Sequence, residues 1–306
     1  MSNDQCPMIN DSASNDPVEP SDRPRGFFIG PVAKKIGRSI LRIGVGVLVA
    51  CLVLLVVLMF FEESLIYFPA KYPDGYWNVP PEVGIEDAEF EAADGTRLHG
   101  WYLPHERPTA VILFCHGNAG NITNRLPVLR RLNEELGASV LIFDYRGYGR
   151  SEGSPGEEGV LQDARAARTW LAKKAGVDER EIVLLGRSLG GAVAVDLAAA
   201  DGARGLVLQS TFTSIPAVAS YHYSWLPARV VLRTRLDSLS KIGLYHGPLL
   251  QSHGCDDTIV PYALGKQLFD AANEPKQFIP LENCDHNDSE RPDYYRELRE
   301  FIEALP

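Results

Sequence analysis

From residue 85 onward the chain alternates between short apolar runs and longer stretches with helical spacing. The runs Ala110 to Cys115, Ser139 to Phe143, Ile182 to Leu185, Gly205 to Leu208, Pro248 to Leu250 and Gln277 to Leu281 are bounded by Gly or polar residues. Continuous apolar runs of this length predict strands buried on both faces. Between and after them, Asn124 to Leu136, Glu157 to Ala175, Leu189 to Ala200, Pro261 to Ala272 and Arg291 to Leu305 predict helices. Strand and helix in alternation imply βαβ units, an α/β fold with a mostly parallel central sheet and helices on both faces. Upstream, Ile85 to Glu91 and Arg97 to Leu103, joined by Asp94-Gly95, predict a leading hairpin. In such sheets sites form at the carboxyl ends of the strands.

One segment breaks this rhythm. Ile43 to Phe61 is a 19-residue run without a charged residue, about 28 Å as a helix, and predicts a transmembrane anchor. Between Arg23 and Arg42, just before it, stand six basic residues (Arg23, Arg25, Lys34, Lys35, Arg38, Arg42) and no acidic one, whereas Glu62 and Glu63 follow. By the positive-inside rule the N-terminus is cytoplasmic and everything after Phe61 is exported: to the periplasm in a bacterium, to the lumen or outside in a eukaryote. A cleaved signal peptide would carry a small-x-small site after the run, and Phe60, Phe61, Glu62, Glu63 offer none. Leu48-Val49-Ala50-Cys51 has the form of a lipoprotein box, yet apolar residues follow Cys51 where a polar linker would stand. The expected organisation is a tail over 1–42, rich in Ser, Asn, Asp and Pro as far as residue 26 and disordered there, an anchor over 43–61, a linker over 62–84 and a catalytic-size domain over 85–306.

Charge narrows the function. With 30 Lys+Arg against 40 Asp+Glu the chain carries a net −10, which disfavours nucleic acid as a partner, since phosphate binding needs a basic field. The five cysteines, Cys6, Cys51, Cys115, Cys255 and Cys284, lack the paired spacings of a disulfide scaffold or a zinc module.

The candidate chemistry lies at the strand ends. After Ile182 to Leu185 comes Gly186-Arg187-Ser188-Leu189-Gly190 and then a helix. This G-x-S-x-G at a strand-to-helix junction has the form of a nucleophile elbow, with Ser188 as nucleophile. A serine hydroxyl needs a base and a group to orient that base. With such an elbow the acid and then the histidine follow downstream. Asp256 and Asp257 both stand just beyond the run from Pro248, and His286 stands beyond the run to Leu281. His253, at a strand end, reads as structural, and His99, His105, His222 and His246 as surface or core residues.

Four ordered motifs carry a resemblance: Phe114 to Asn121 (F-C-H-G-N-A-G-N), Asp144 to Gly153, Gly186 to Gly191, and His253-Gly254-x-x-Asp257-x-x-Val260-Pro261. Over roughly residues 85–305 the chain resembles the alpha/beta-hydrolase superfamily, most of all its membrane-anchored, serine aminopeptidase-like subgroup. The resemblance selects Asp257 over Asp256, making the expected triad Ser188, Asp257 and His286. It also implies that the backbone N–H groups of Asn118 and Leu189 form the oxyanion hole, and the glycine-rich turn Gly117 to Gly120 is suited to that. No metal or cofactor is expected.

Residues 211–247 predict a short cap with an aromatic cluster, in which Tyr221, Tyr223 and Trp225 are candidate substrate contacts. The expected activity is hydrolysis of a carboxylic ester or thioester through an acyl-enzyme, on a small acyl ester, a lipid or an acylated protein near the membrane. A serine peptidase of the aminopeptidase type is the alternative within the class, and a non-catalytic binding module the alternative outside it. Finally, Cys255 and Cys284 stand two residues before Asp257 and His286 respectively. Loops that bring the acid to the base would bring these cysteines together, and an oxidising compartment would let them form a disulfide.

Overall fold

The computed structural model describes residues 31–288 and 290–306; most of the expected tail, with Arg23 and Arg25, lies outside these residues. The chain divides into two units, Met1–Val53 and Leu54–Pro306. Helix α1 runs Pro31–Phe60. Its stretch Arg38–Val57 is 20 residues with a mean hydropathy of 2.9, and none of it is buried within the protein. By length and composition it is able to cross a membrane. The helix starts earlier than the uncharged run because Lys35, Arg38 and Arg42 are good helix formers and do not stop it.

The second unit is built on an eight-stranded sheet: β1 Glu86–Glu91, β2 Arg97–Leu103, β3 Val111–Cys115, β4 Ser139–Phe143, β5 Ile182–Arg187, β6 Gly205–Gln209, β7 Leu249–Gly254 and β8 Lys276–Leu281. The spatial order is β8-β7-β6-β5-β3-β4-β2-β1. Only β2 runs against its neighbours, pairing antiparallel with β1 and with β4, while β3 to β8 are parallel. The predicted hairpin turns at Gly95, whose φ is +82°.

Side chains alternate across the sheet and build two cores. Val111, Leu113, Leu184, Leu206 and Leu208 pack on one face with α4 (Glu157–Ala175), α5 (Leu189–Asp201) and α9 (Tyr262–Ala271). Ile112, Phe114, Val183, Leu185 and Val207 pack on the other with α3 (Leu126–Glu134) and α10 (Pro292–Glu303). The cap, between β6 and β7, holds the short helices α6 (Ile215–His222), α7 (Ala228–Val231) and α8 (Leu239–Ile242).

Residues 62–84 pack against the rest of this unit. After the short helix α2 (Glu62–Ile66), Phe68–Pro69 pairs parallel with Ala119–Gly120, and Tyr72 N donates to the Gly149 carbonyl at 2.8 Å.

Candidate active site

Close packing at glycines makes the turn after β5 sharp. A Cβ on Gly190 would meet the Cys115 carbonyl oxygen at 2.0 Å, and one on Gly186 would meet the Gly190 oxygen at 2.4 Å, so strand and helix approach to a distance only glycine permits. Ser188, between them, is held at φ +52°, ψ −117°, a conformation few non-glycine residues adopt. Its N–H donates to the Gln209 carbonyl at 2.8 Å, and its carbonyl accepts the Thr211 hydroxyl at 2.8 Å. These bonds fix the strained turn from the neighbouring strand.

Asp257 and His286 meet at the ends of β7 and β8. His286 Nδ1 lies 2.7 Å from Asp257 Oδ2. Asp257 Oδ1 accepts the amides of Ile259 and Val260 at 2.9 and 2.7 Å. Burial works against the Asp257 charge, but hydrogen bonds from His253 and His286, the charge of His286 and the Val260 amide overcome it, holding the carboxylate well below its usual range. His253 is fully buried; its Nε2 lies 2.9 Å from the Val260 carbonyl and 3.2 Å from Asp257 Oδ2. It therefore braces the acid. Asp256 is not in this pair: its N–H donates to the Cys284 carbonyl at 3.1 Å.

Ser188 and His286 line one cavity of about 420 Å³. Asn118 and Leu189 line it too, and among the described residues neither backbone N–H has a protein acceptor. The Asn118 side chain is clamped: it donates to the Ile66 carbonyl, and its Oδ1 accepts the Phe68 amide and the Tyr148 hydroxyl at 3.3 and 2.9 Å. The rest of the wall is mostly apolar, with Phe212, Ile215, Val218 and Val260. The geometry offers an acid-held imidazole, a strained serine and two unfilled amides around an apolar hollow.

Not every expected residue takes part. Of the three cap aromatics expected as contacts, Tyr223 lines the cavity; Tyr221 and Trp225 do not and are about two-thirds exposed. Helix α6 (Ile215–His222) turns its other side, with Ile215, Val218, Ala219 and His222, to the hollow. Cys255 and Cys284 come to touching loops, but both are free thiols. The Cys284 sulfur is buried and engaged by Arg291 Nη1 at 3.5 Å instead of by Cys255. Two residues the sequence reading passed over, Arg125 and Arg187, line the cavity.

The family model for serine aminopeptidase (S33) matches residues 106–246. The chain is 34% identical over 270 residues to the alpha/beta hydrolase domain-containing protein WAV2 of Arabidopsis thaliana, covering 80% of this chain and 86% of that one. It is 33% identical over 278 residues to protein bem46 of Schizosaccharomyces pombe, covering 85% and 91%. A protein of Mycobacterium tuberculosis without an assigned function is 42% identical over 235 residues, covering 75% and 82%. Among solved structures, an esterase of Pyrococcus furiosus superposes with a TM-score of 0.65 at 19% identity, over 78% of this chain and 99% of that one, a likeness of fold. With the sheet order, the elbow at Ser188 and these relatives in agreement, the chain belongs to the alpha/beta-hydrolase superfamily.

Proposed function

We propose that this hydrolase is a serine hydrolase that cleaves carboxylic esters or thioesters through an acyl-enzyme on Ser188. The observation that carries the reading is the 2.7 Å contact between His286 Nδ1 and Asp257 Oδ2 beside the cavity that holds Ser188. With Nδ1 committed to the carboxylate, Nε2 is the nitrogen left for the serine. His286 takes the Ser188 proton as Oγ attacks the carbonyl carbon, and the Asn118 and Leu189 amides receive the oxyanion. The tetrahedral intermediate collapses, and His286 gives that proton to the departing alkoxide or thiolate. Water, deprotonated by His286, then attacks the acyl carbon, and the proton returns to Ser188 as the acid leaves. Among the described residues no carboxylate lines the cavity. An aminopeptidase needs an anion to hold the substrate ammonium, so the lining favours the ester reading.

In this proposal residues 43–61 anchor the protein, with the N-terminus cytoplasmic and the catalytic domain exported. The support is the exposed apolar stretch Arg38–Val57 and the basic flank before it. The substrate is then an acyl ester, lipid or acylated protein near the bilayer. Labelling with a fluorophosphonate probe tests the chemistry. An adduct at Ser188 that is lost in His286→Ala is expected; equal labelling of the two proteins, or none at Ser188, overturns it.

A further inference from the structure

We propose that Arg125 and Arg187 form an anion-binding subsite inside the Ser188 cavity, so that the ester cleaved here carries a carboxylate or phosphate group. The substrate class rests on the serine-hydrolase reading; the anion site itself does not.

Both side chains line the cavity that also holds Ser188 and His286. The Arg187 side chain is only 9% exposed. Its contacts are long: Nη2 to the His286 carbonyl at 3.3 Å and to Asn287 Oδ1 at 3.4 Å, and Nη1 to Glu290 Oε1 at 3.6 Å. Arg125 is less satisfied. Its Nη2 donates to the Ala119 carbonyl at 2.9 Å, while its Nε is buried without an acceptor. A guanidinium has five N–H donors in a fork that matches carboxylate and phosphate. Most of the Arg125 donors are unused.

The charge is also out of balance. Glu290 is paired with Arg187 and its charge also acts on Arg125, with which it forms no ion pair; its Oε2 is taken by the Tyr295 hydroxyl, and its Oε1 forms no hydrogen bond. Among the described residues two cations thus share one carboxylate beside a mostly apolar hollow, in a chain whose net charge is −10. Burial first, and the Arg187 charge second, pull the Arg125 pKa down, the signature of a cation short of a counter-charge. A partly buried charge short of counter-charge is costly, and an anionic substrate would offset that cost on binding. Phe212, Ile215 and Val218 remain for its apolar part.

The anion could belong to the acyl half or to the alcohol half of the ester, and three substrates separate the cases. The full-length protein in detergent is assayed by pH-stat with ethyl butyrate (neutral), monoethyl succinate (acyl-side carboxylate) and the butyrate ester of 2-hydroxyethyl phosphate (alcohol-side phosphate). One of the two anionic esters is expected to exceed ethyl butyrate in kcat/KM by about tenfold, mostly through KM. That ratio falls to about one in Arg125→Met and is largely kept in Arg125→Lys. Equal or slower turnover of both anionic esters, or a preference that survives Arg125→Met, overturns the proposal. A second readout needs no turnover: inorganic phosphate or succinate is expected to raise the melting temperature of the wild-type protein and not of Arg125→Met. No shift in the wild type, or equal shifts in both proteins, also overturns it. Failure of Ser188 to label, with the anion-dependent shift intact, would reject the serine-hydrolase reading alone.

Discussion

Glu62 Oε1 accepts the backbone N–H of Thr234 at 2.6 Å and that of Arg233 at 2.9 Å. The first residue after the apolar run is thereby buried against the cap, 4% exposed. Glu157 makes the matching contact one step on, taking the amides of Arg235 and Leu236. Replacing Glu62 with Ala leaves two amides without their acceptor, at about 1–3 kcal/mol each where water cannot reach them. Thermal unfolding is expected to show the loss, and Glu62→Gln, which keeps one acceptor oxygen, is expected to show less. Equal melting temperatures for Glu62→Ala and the wild type would contradict this.

The packing at Gly190 makes a sharper prediction. A methyl there points into the Cys115 carbonyl, backbone that belongs to a central strand and has no room to withdraw. Gly190→Ala is expected to cost about 3 kcal/mol or more and to abolish Ser188 labelling in whatever protein folds. A labelled protein of wild-type stability would show that the turn is softer than its contacts imply.

Asp257 carries a pH signature. Its folded pKa is depressed, so its contribution to stability is present above the unfolded value of about 4 and is lost as pH falls through the folded value. The stability gap between the wild type and Asp257→Asn is therefore expected to be constant above about pH 4 and to shrink below it. In activity the same change is expected to lower kcat by about 10⁴ at neutral pH, because the imidazole loses its orienting partner. Denaturant titrations across pH and steady-state rates check the two halves separately.

Asp144 runs the other way. Burial raises its pKa to about 8 against the pull of the Ile122 and Arg150 amides, and its Oδ2 has no partner. A raised folded pKa gives stability that is full below the unfolded value and is lost as pH rises through the folded one. Asp144→Asn removes that dependence, so its stability relative to the wild type is expected to climb between about pH 4 and pH 8 and then level off. A relative stability that does not vary over this range would mean the carboxyl is ionised throughout.

Much of this architecture is legible in the residues because burial writes a strong pattern. Strand β4 and helix α4 match their predicted limits: one is an unbroken apolar run, and the other ends on glycine at Gly176, φ +70°. The strand-end rule singled out Ser188, His286 and the pair Asp256 and Asp257, the family resemblance chose Asp257 from that pair, and Asp257 and His286 meet. What was not legible depends on tertiary partners. Phe68-Pro69 forms its short ladder only because Ala119–Gly120 lies alongside, and no local periodicity announces a two-residue pairing. Arg125, beside a helix start, looks like a surface residue until the loop carrying His286 is folded near it. In the cap, a helix of eight residues, Ile215–His222, is too short for spacing to say which aromatic turns inward, so Tyr223 and Trp225 look alike in the sequence.

The ladder between Phe68–Pro69 and Ala119–Gly120, with the clamp from Ile66 and Phe68 on Asn118, constrains inheritance. Residues just after the apolar helix and residues of the glycine-rich turn touch as one surface, though about fifty positions apart in the chain. A recombination that exchanges the N-terminal helix among relatives must carry residues 62–70 with the recipient's turn or break that surface. Selection should therefore treat the two segments as a single heritable unit, with the junction for a viable swap falling before Glu62 and not at the start of the sheet.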